Sequence, residues 1–128
     1  MERKTLSECA LFDGLSPKEV SLLLGCAGAR YRRMLAGTSM HTDRIIVVLS
    51  GELVERDRRC RAGAVLVAGG GPRYVATITQ SEAFLINCGR LLFGCCNACG
   101  FHKTAIANLM RICRAKGSVD IRRARGQR

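Results

Sequence analysis

The chain has 128 residues, and its 21 lysines and arginines against 10 aspartates and glutamates give a formal net charge of +11. Hydrophobic residues make up 48% and are spread along the whole length, which excludes a disordered basic tail protein and predicts one folded domain. The longest apolar runs, Ile45 to Leu49 and Ala62 to Gly71, are shorter than the roughly 20 residues of a membrane helix. The N-terminus lacks the apolar stretch of a signal peptide, so we expect a cytoplasmic protein without membrane contact.

A helix is predicted close to the N-terminus. Ser16 is followed by Pro17 and then by Glu19, which together form a capping box with proline at the first helical position. From Val20 to about Cys26, apolar residues recur at helical spacing, and glycines mark the end of the segment. One face of this helix is therefore expected to pack on the elements that follow.

The middle of the chain, residues 29 to 87, predicts short β-strands. The predicted strands are Ala29 to Met34, Ile45 to Leu49, Glu52 to Glu55, Ala64 to Val67, Tyr74 to Ile78 and Ala83 to Ile86. Turn residues separate them, at Ala36-Gly37, Thr42-Asp43, Ser50-Gly51, Asp57 to Arg59 and Gly69 to Pro72. No long helical pattern interrupts this region, so the sequence favours a sandwich, barrel or roll over a parallel sheet.

A second helical region begins near Gly89, is broken near Gly94, and continues as a long helix from about Cys96 to Ala115. Two stripes run along this helix. The first is a heptad seam of Cys95, Cys99, His102, Ile106, Leu109 and Cys113, and the second contains Phe101, Ala105, Asn108 and Ile112. A helix with two such stripes can bury each of them against a different partner. We therefore expect one stripe to pack on the β-body and the other on a second chain. The predicted homodimer interface is Cys99, His102, Ile106, Leu109 and Cys113.

Four segments in a fixed order point to a known family. They are Leu11 to Ser16, Ile46 to Val54, Ala76 to Ile86, and a C…C…H…N pattern of Cys95, Cys99, His102 and Asn108. Together they resemble the sensor domain of the cAMP receptor protein/Fnr (Crp/Fnr) family of transcription regulators. The resemblance implies a mainly β fold with flanking helices: a double-stranded β-helix or jelly roll of the cyclic-nucleotide-binding-like type, N-terminal helices and a long C-terminal dimerisation helix. The sensor domain would span residues 1–115, with the β-roll at 28–88 and the dimer helix at 96–115.

The phosphate-binding loop departs from the family pattern. In nucleotide-binding members, a Gly-Glu turn followed by arginine and Ser/Thr holds the cyclic phosphate. This chain has no Gly-Glu between Gly63 and Tyr74. The candidate ligand residues that remain are Gly69, Gly70, Gly71 and Arg73. They fit either a small anion nest or a plain turn between strands, so the resemblance implies a small-molecule effector without identifying it.

The C-terminal tail is the most basic part of the chain. Its last eighteen residues hold seven lysines and arginines against Asp120 alone. Family regulators continue past the dimer helix into a winged helix-turn-helix domain, and the tail of residues 116–128 is too short for one, so we expect that domain to be absent. Phosphate contacts without base readout are expected from Arg122, Arg123, Arg125 and Arg128. DNA binding is therefore expected to be non-specific at most, although a small basic nucleic-acid-binding protein stays as an alternative.

Two further basic groups occur in the β-region, and they favour solvated strand and loop faces. They are Arg30, Arg32 and Arg33, and Arg56, Arg58, Arg59 and Arg61.

Three of the eight cysteines lie within five residues of one another, at positions 95, 96 and 99. Cys95, Cys99 and His102 are spaced so that they share one helical face, where they could bind zinc, an iron–sulfur cluster or haem. A thiol near a helix start could also act as a redox sensor. The same residues lie on the heptad seam, where cysteines and a packed histidine are ordinary, and three ligands on one rigid helix span a wide arc for a tetrahedral ion. The sequence therefore favours a packed seam without a cofactor, and the metal or redox sensor is an alternative.

Catalytic motifs are not apparent. Only two histidines occur, His41 and His102, and no nucleophile lies in a recognisable motif with a base. We therefore expect no enzymatic activity. The predicted function is an effector-sensing and dimerisation module of a Crp/Fnr-type transcription regulator.

Overall fold

Two antiparallel sheets form the body of the chain in the computed structural model, which describes residues 6–56, 58–67, 73–93 and 100–115. Within these residues there are eight strands: Arg30–Met34 (β1), Ser39–Thr42 (β2), Ile45–Ser50 (β3), Glu52–Glu55 (β4), Arg58–Arg61 (β5), Val65–Leu66 (β6), Arg73–Thr77 (β7) and Ser81–Ile86 (β8). One sheet has the order β1-β8-β3-β6 and the other has the order β2-β7-β4-β5. The predicted mainly β fold is confirmed.

Helices precede and follow the strands along the chain. Two 3-10 turns, Leu6–Glu8 and Ala10–Phe12, precede α1 (Pro17–Cys26), while α2 (Cys88–Phe93) and α3 (Gly100–Ala115) follow β8. The predicted capping box is confirmed, because the Ser16 side chain accepts from the Glu19 amide and the Glu19 carboxylate accepts from the Ser16 amide, at 3.2 and 2.9 Å. Among the described residues, no helix is long and apolar enough to cross a membrane.

The central strand β3 separates two apolar clusters. All six of its residues are buried, which a strand covered on both faces requires. Ile45, Val47 and Leu49 pack with the helices, and the helical side of this cluster includes Leu11, Phe12, Leu23, Leu91 and Leu109. Ile46 and Val48 point between the two sheets, where they join Met34, Met40, Leu53, Cys60, Leu66, Val75, Ala83 and Leu85. The run Ile45 to Leu49 is therefore continuous because it serves both clusters.

Two strands were not predicted. The sequence assigns turns at Thr42-Asp43 and Asp57 to Arg59, whereas the structure forms β2 at Ser39–Thr42 and β5 at Arg58–Arg61. Each lies at an edge of its sheet and buries one residue, Met40 or Cys60. A four-residue strand with one buried side chain carries too little alternation to be recognised, and three arginines in β5 obscure it further.

Candidate functional site

In the sequence, the predicted ligand loop lies between β6 of one sheet and β7 of the other sheet. Leu66 pairs with Ile46 in one sheet, and Arg73 begins β7 in the other sheet, opposite Thr42. Gly69, Gly70 and Gly71 lie outside the described residues. Of the candidate ligand residues, the structure therefore places the backbone of Arg73, next to the end of β2.

A cleft of about 400 Å³ opens close to that end, between the edge strands of the two sheets. Strands β1 and β2 supply most of its lining, Leu85 of β8 adds an apolar patch, and Arg44 approaches from the turn before β3. The described residues that line it are Arg30, Tyr31, Arg32, Met40, His41, Thr42, Arg44 and Leu85. Three guanidinium groups and an imidazole thus line one cavity, which we call the arginine cleft.

Strand alternation directs the two β1 arginines toward this cleft. Arg30 and Arg32 share a strand face with Met34, which is buried between the sheets. The Arg32 guanidinium reaches inward far enough to contact the Met40 sulfur, with Nη1 at 3.9 Å from Sδ. Arg30 and Arg32 themselves remain exposed because β1 lies at the edge of its sheet.

Arg44 is positioned by two backbone contacts. Its amide donates to Thr42 Oγ1 at 3.1 Å, which closes the tight turn between β2 and β3. Its guanidinium Nη1 donates to the Gly28 carbonyl oxygen at 3.4 Å, just before β1 begins. The side chain therefore reaches from the β3 side of the turn to the start of β1, beside Arg30.

An aromatic pair borders the arginine cleft. His41 and Tyr74 face each other across β2 and β7, and their rings are stacked with centroids 4.4 Å apart and planes inclined by 15°. Tyr74 remains 71% exposed. The sequence does not predict this pair, because it does not predict β2 and because no local pattern indicates that residues 41 and 74 are neighbours.

A second polar feature joins the two ends of the described chain. Asn108 of α3 is buried, and its Nδ2 donates to the carbonyl oxygens of Leu11 and Asp13 at 3.0 and 2.8 Å. Its Oδ1 accepts from Arg111 one turn later. A single amide thereby satisfies two backbone carbonyls beside the 3-10 turn Ala10–Phe12, and we call this contact the asparagine joint.

The fold was compared with solved structures. The catabolite activator protein from Thermus thermophilus matches with a TM-score of 0.59 and 16% identity, over 84% of this chain and 57% of that protein. DNR from Pseudomonas aeruginosa matches with a TM-score of 0.56 and 14% identity, over 91% and 60%. The N-terminal domain of a transcriptional regulator from Streptomyces coelicolor A3(2) matches with a TM-score of 0.53 and 16% identity, over 88% and 92%. The chain therefore has the same fold as these structures, a β-roll with flanking helices.

At these identities, the similarity establishes the fold of the domain. By sequence, no protein-family model and no curated protein matches the chain. The chain spans less than two thirds of the catabolite activator and of DNR, and nearly the whole of the isolated N-terminal domain. The predicted resemblance to the Crp/Fnr family is confirmed as a resemblance of this β-roll domain.

The predicted dimer residues fall in different surroundings within the domain. Leu109 and Cys113 lie in its own core, packed with residues of the helical cluster. Ile106 is half-buried and lies outside both apolar clusters. Cys99 is outside the described residues, and His102 is described by its backbone alone. Part of the seam that was predicted to contact a second chain is therefore buried within one chain. The dimer interface stays a prediction.

The predicted metal ligands cannot be placed together. Cys95 and Cys99 lie outside the described residues. The residues predicted to contact nucleic acid, Arg122, Arg123, Arg125 and Arg128, also lie outside them. In the described part of the chain, no three His, Cys, Asp or Glu side chains form a group suited to a metal ion. The metal and redox-sensor alternatives remain hypotheses.

The surroundings of Cys88 change the pKa of its thiol. Burial of Cys88 raises the pKa of its thiol, and the nearby Cys113 thiol and Asp43 carboxylate raise this pKa further. Cys88 therefore stays a neutral thiol at physiological pH, which argues against a role as a reactive thiolate.

Proposed function

We propose that this chain is the effector-sensing domain of a transcription regulator, and that it acts in the cytoplasm as a homodimer that binds a ligand without transforming it. The fold is shared with two regulators and with the N-terminal domain of a third. A ligand-binding role is supported by the roll itself, whose arginine cleft includes Thr42, the β2 residue opposite the first residue of β7. These features suit a protein that responds to a small molecule.

The asparagine joint is the observation that carries this proposal. A sensing domain must connect the ligand-binding roll to the element that contacts the rest of the assembly. Here α3 rests on the N-terminal segment through Ala105 and Leu109, which are fully buried, and through the two bonds of Asn108. A shift of α3 along its axis would break both bonds at once, so the helix has a defined resting position from which an effector could displace it.

The half-buried side of α3 supports pairing with a second copy. Ile106 lies between Lys103 and Ala107, which are exposed, and it contributes to neither apolar cluster of the described domain. Burying such an isoleucine against its symmetry mate would remove apolar surface from water and would stabilise a dimer. We therefore assign the contact between copies to the turn around Ile106, and we exclude Leu109 and Cys113 from it because they are inside the domain.

Replacing Ile106 tests this assignment. We expect the wild-type chain to be a dimer at micromolar concentration, and Ile106→Glu to be a folded monomer because it places a charge in the contact. Light scattering coupled to size exclusion measures the mass, and circular dichroism measures the fold. Ser21→Glu, on the exposed face of α1, is the matched control and should remain dimeric. A monomeric wild-type chain, or a dimeric Ile106→Glu, would contradict dimerisation through this turn.

A further inference from the structure

The arginine cleft concentrates positive charge without local compensation. Arg30, Arg32 and Arg44 all line it, and none of the described residues in its lining is an aspartate or a glutamate. Among the described residues, these three arginines take part in no ion pair; Arg32 contacts the Met40 sulfur and Arg44 donates to the Gly28 carbonyl oxygen. Arginines elsewhere on the same roll behave differently, since Arg59 and Arg61 both lie within 4 Å of the Glu52 carboxylate, at 3.4 and 3.8 Å.

Two carboxylates that neighbour the lining residues in sequence or in strand register have other interactions. Asp43 lies between Thr42 and Arg44 in the sequence, but it is outside the lining, and its charge acts on the Cys88 thiol. Glu82 lies opposite Arg33 in the strand register, where it accepts from the Tyr31 and Ser50 hydroxyls. Three guanidinium groups that line one cleft and have no described ion pair repel each other, and an anion that binds between them relieves this repulsion.

The donors of the arginine cleft suit phosphate oxygens. A guanidinium group presents a planar fork of N–H donors that matches phosphate geometry. The Thr42 hydroxyl oxygen already accepts from the Arg44 amide, so its hydrogen is available to donate to an anion. The volume of about 400 Å³ is typical of a small-molecule site rather than of an extended groove.

We propose that the arginine cleft binds a small ligand that carries two linked phosphate groups. One phosphate group brings about −1.5 to −2 charges at neutral pH, which is less than the charge of three arginines, whereas two linked groups balance it. The described residues that line the cleft come from β1, β2, β8 and the turn at Arg44. The cleft would bind such an anion whether or not the domain belongs to a transcription regulator.

Calorimetric titration with inorganic pyrophosphate tests the proposal. We expect Arg32→Gln and Arg44→Gln each to weaken binding about tenfold, because each removes charge-assisted hydrogen bonds. Arg33→Gln is the matched control, since Arg33 is exposed on the same strand, carries the same charge and does not line the cleft. We expect it to change the affinity by about twofold or less. Inorganic phosphate should bind about tenfold more weakly than pyrophosphate.

Several outcomes would overturn the proposal. They are an absence of pyrophosphate binding to the wild-type chain, equal losses in Arg33→Gln and Arg32→Gln, or equal affinities for phosphate and pyrophosphate. Tighter binding of a single-stranded oligonucleotide, with an affinity that rises with its length, would assign the surface to nucleic acid instead. Thermal unfolding of each variant checks its fold. If Arg32→Gln or Arg44→Gln unfolds, Arg30→Gln tests the same prediction, because Arg30 also lines the cleft and is exposed.

Discussion

The asparagine joint and the arginine cleft are two polar features of this domain that are built in opposite ways. In the joint, a buried amide uses both of its N–H donors on backbone carbonyls and its oxygen on Arg111. In the cleft, three cationic side chains line an open space, and within the described chain no ion pair neutralises them. Polar groups with all their partners inside the chain stabilise the fold, whereas groups without them are available to a ligand.

This difference separates two kinds of substitution. Changes at the joint should lower the free energy of unfolding, because they disturb a buried contact between segments that are nearly 100 residues apart in the sequence. Changes at the cleft should leave stability nearly constant and alter binding. The expected effects on stability therefore decrease from the core beside the joint, through the joint itself, to the arginine cleft.

The largest effect is expected at Leu109, beside the joint. This side chain is fully buried in the helical cluster, so Leu109→Glu would place an unpaired charge in the core. We expect a loss of about 3–5 kcal/mol, enough to unfold a marginal domain. Urea denaturation measures it. Ala107→Glu, at an exposed position on the same helix, should change stability by about 0.5 kcal/mol or less. Equal effects of the two variants would contradict the burial of Leu109.

An intermediate effect is expected at Asn108. Asn108→Ala removes the donors to the carbonyls of Leu11 and Asp13 and leaves those oxygens without their partner. An unsatisfied buried polar group costs about 1–3 kcal/mol, and we expect a loss in that range by urea denaturation. Thr104→Ala is the control one turn earlier, since its hydroxyl bonds within its own helix, to the Gly100 carbonyl. A loss of the same size in Thr104→Ala would show that the joint has no special role.

The smallest effect on stability is expected at the arginine cleft. The double variant Arg32→Gln/Arg44→Gln removes two like charges that have no described ion pair. We expect unfolding free energy to stay within about 0.5 kcal/mol of the wild type in low salt. A loss comparable to that of Asn108→Ala would mean that these arginines support the fold.

The fold could be predicted largely from the sequence because buried periodicity dominates it. The run Ile45 to Leu49 indicates a strand covered on both faces, and the capping box places the start of α1. Ser50-Gly51 was recognised as a turn, and the structure shows why glycine is needed there: its φ of +86° is left-handed, and a Cβ would meet Ser81 and the Gln80 carbonyl. Strands β2 and β5 were missed because each buries one side chain.

The candidate site could be predicted only in part. The pattern of α3 distinguished two stripes, but it could not decide which of them the chain itself would bury, and it assigned Leu109 to a partner. The sequence shows Arg30 and Arg32 as part of a basic group, but it does not predict that their side chains line a cleft, and it does not distinguish Arg44. The cleft depends on the approach of β1, β2 and the Arg44 turn, and the joint depends on backbone carbonyls, which have no sequence signal.

Pyrophosphate binding to the folded Asn108→Ala variant tests the separation of the two regions most directly. If the joint stabilises the fold and the arginine cleft binds the anion, this variant should bind pyrophosphate within about twofold of the wild-type affinity despite its lower stability. Arg32→Gln/Arg44→Gln, titrated in parallel, should retain its stability and lose its affinity. Loss of binding in Asn108→Ala as large as in the double arginine variant would contradict the account.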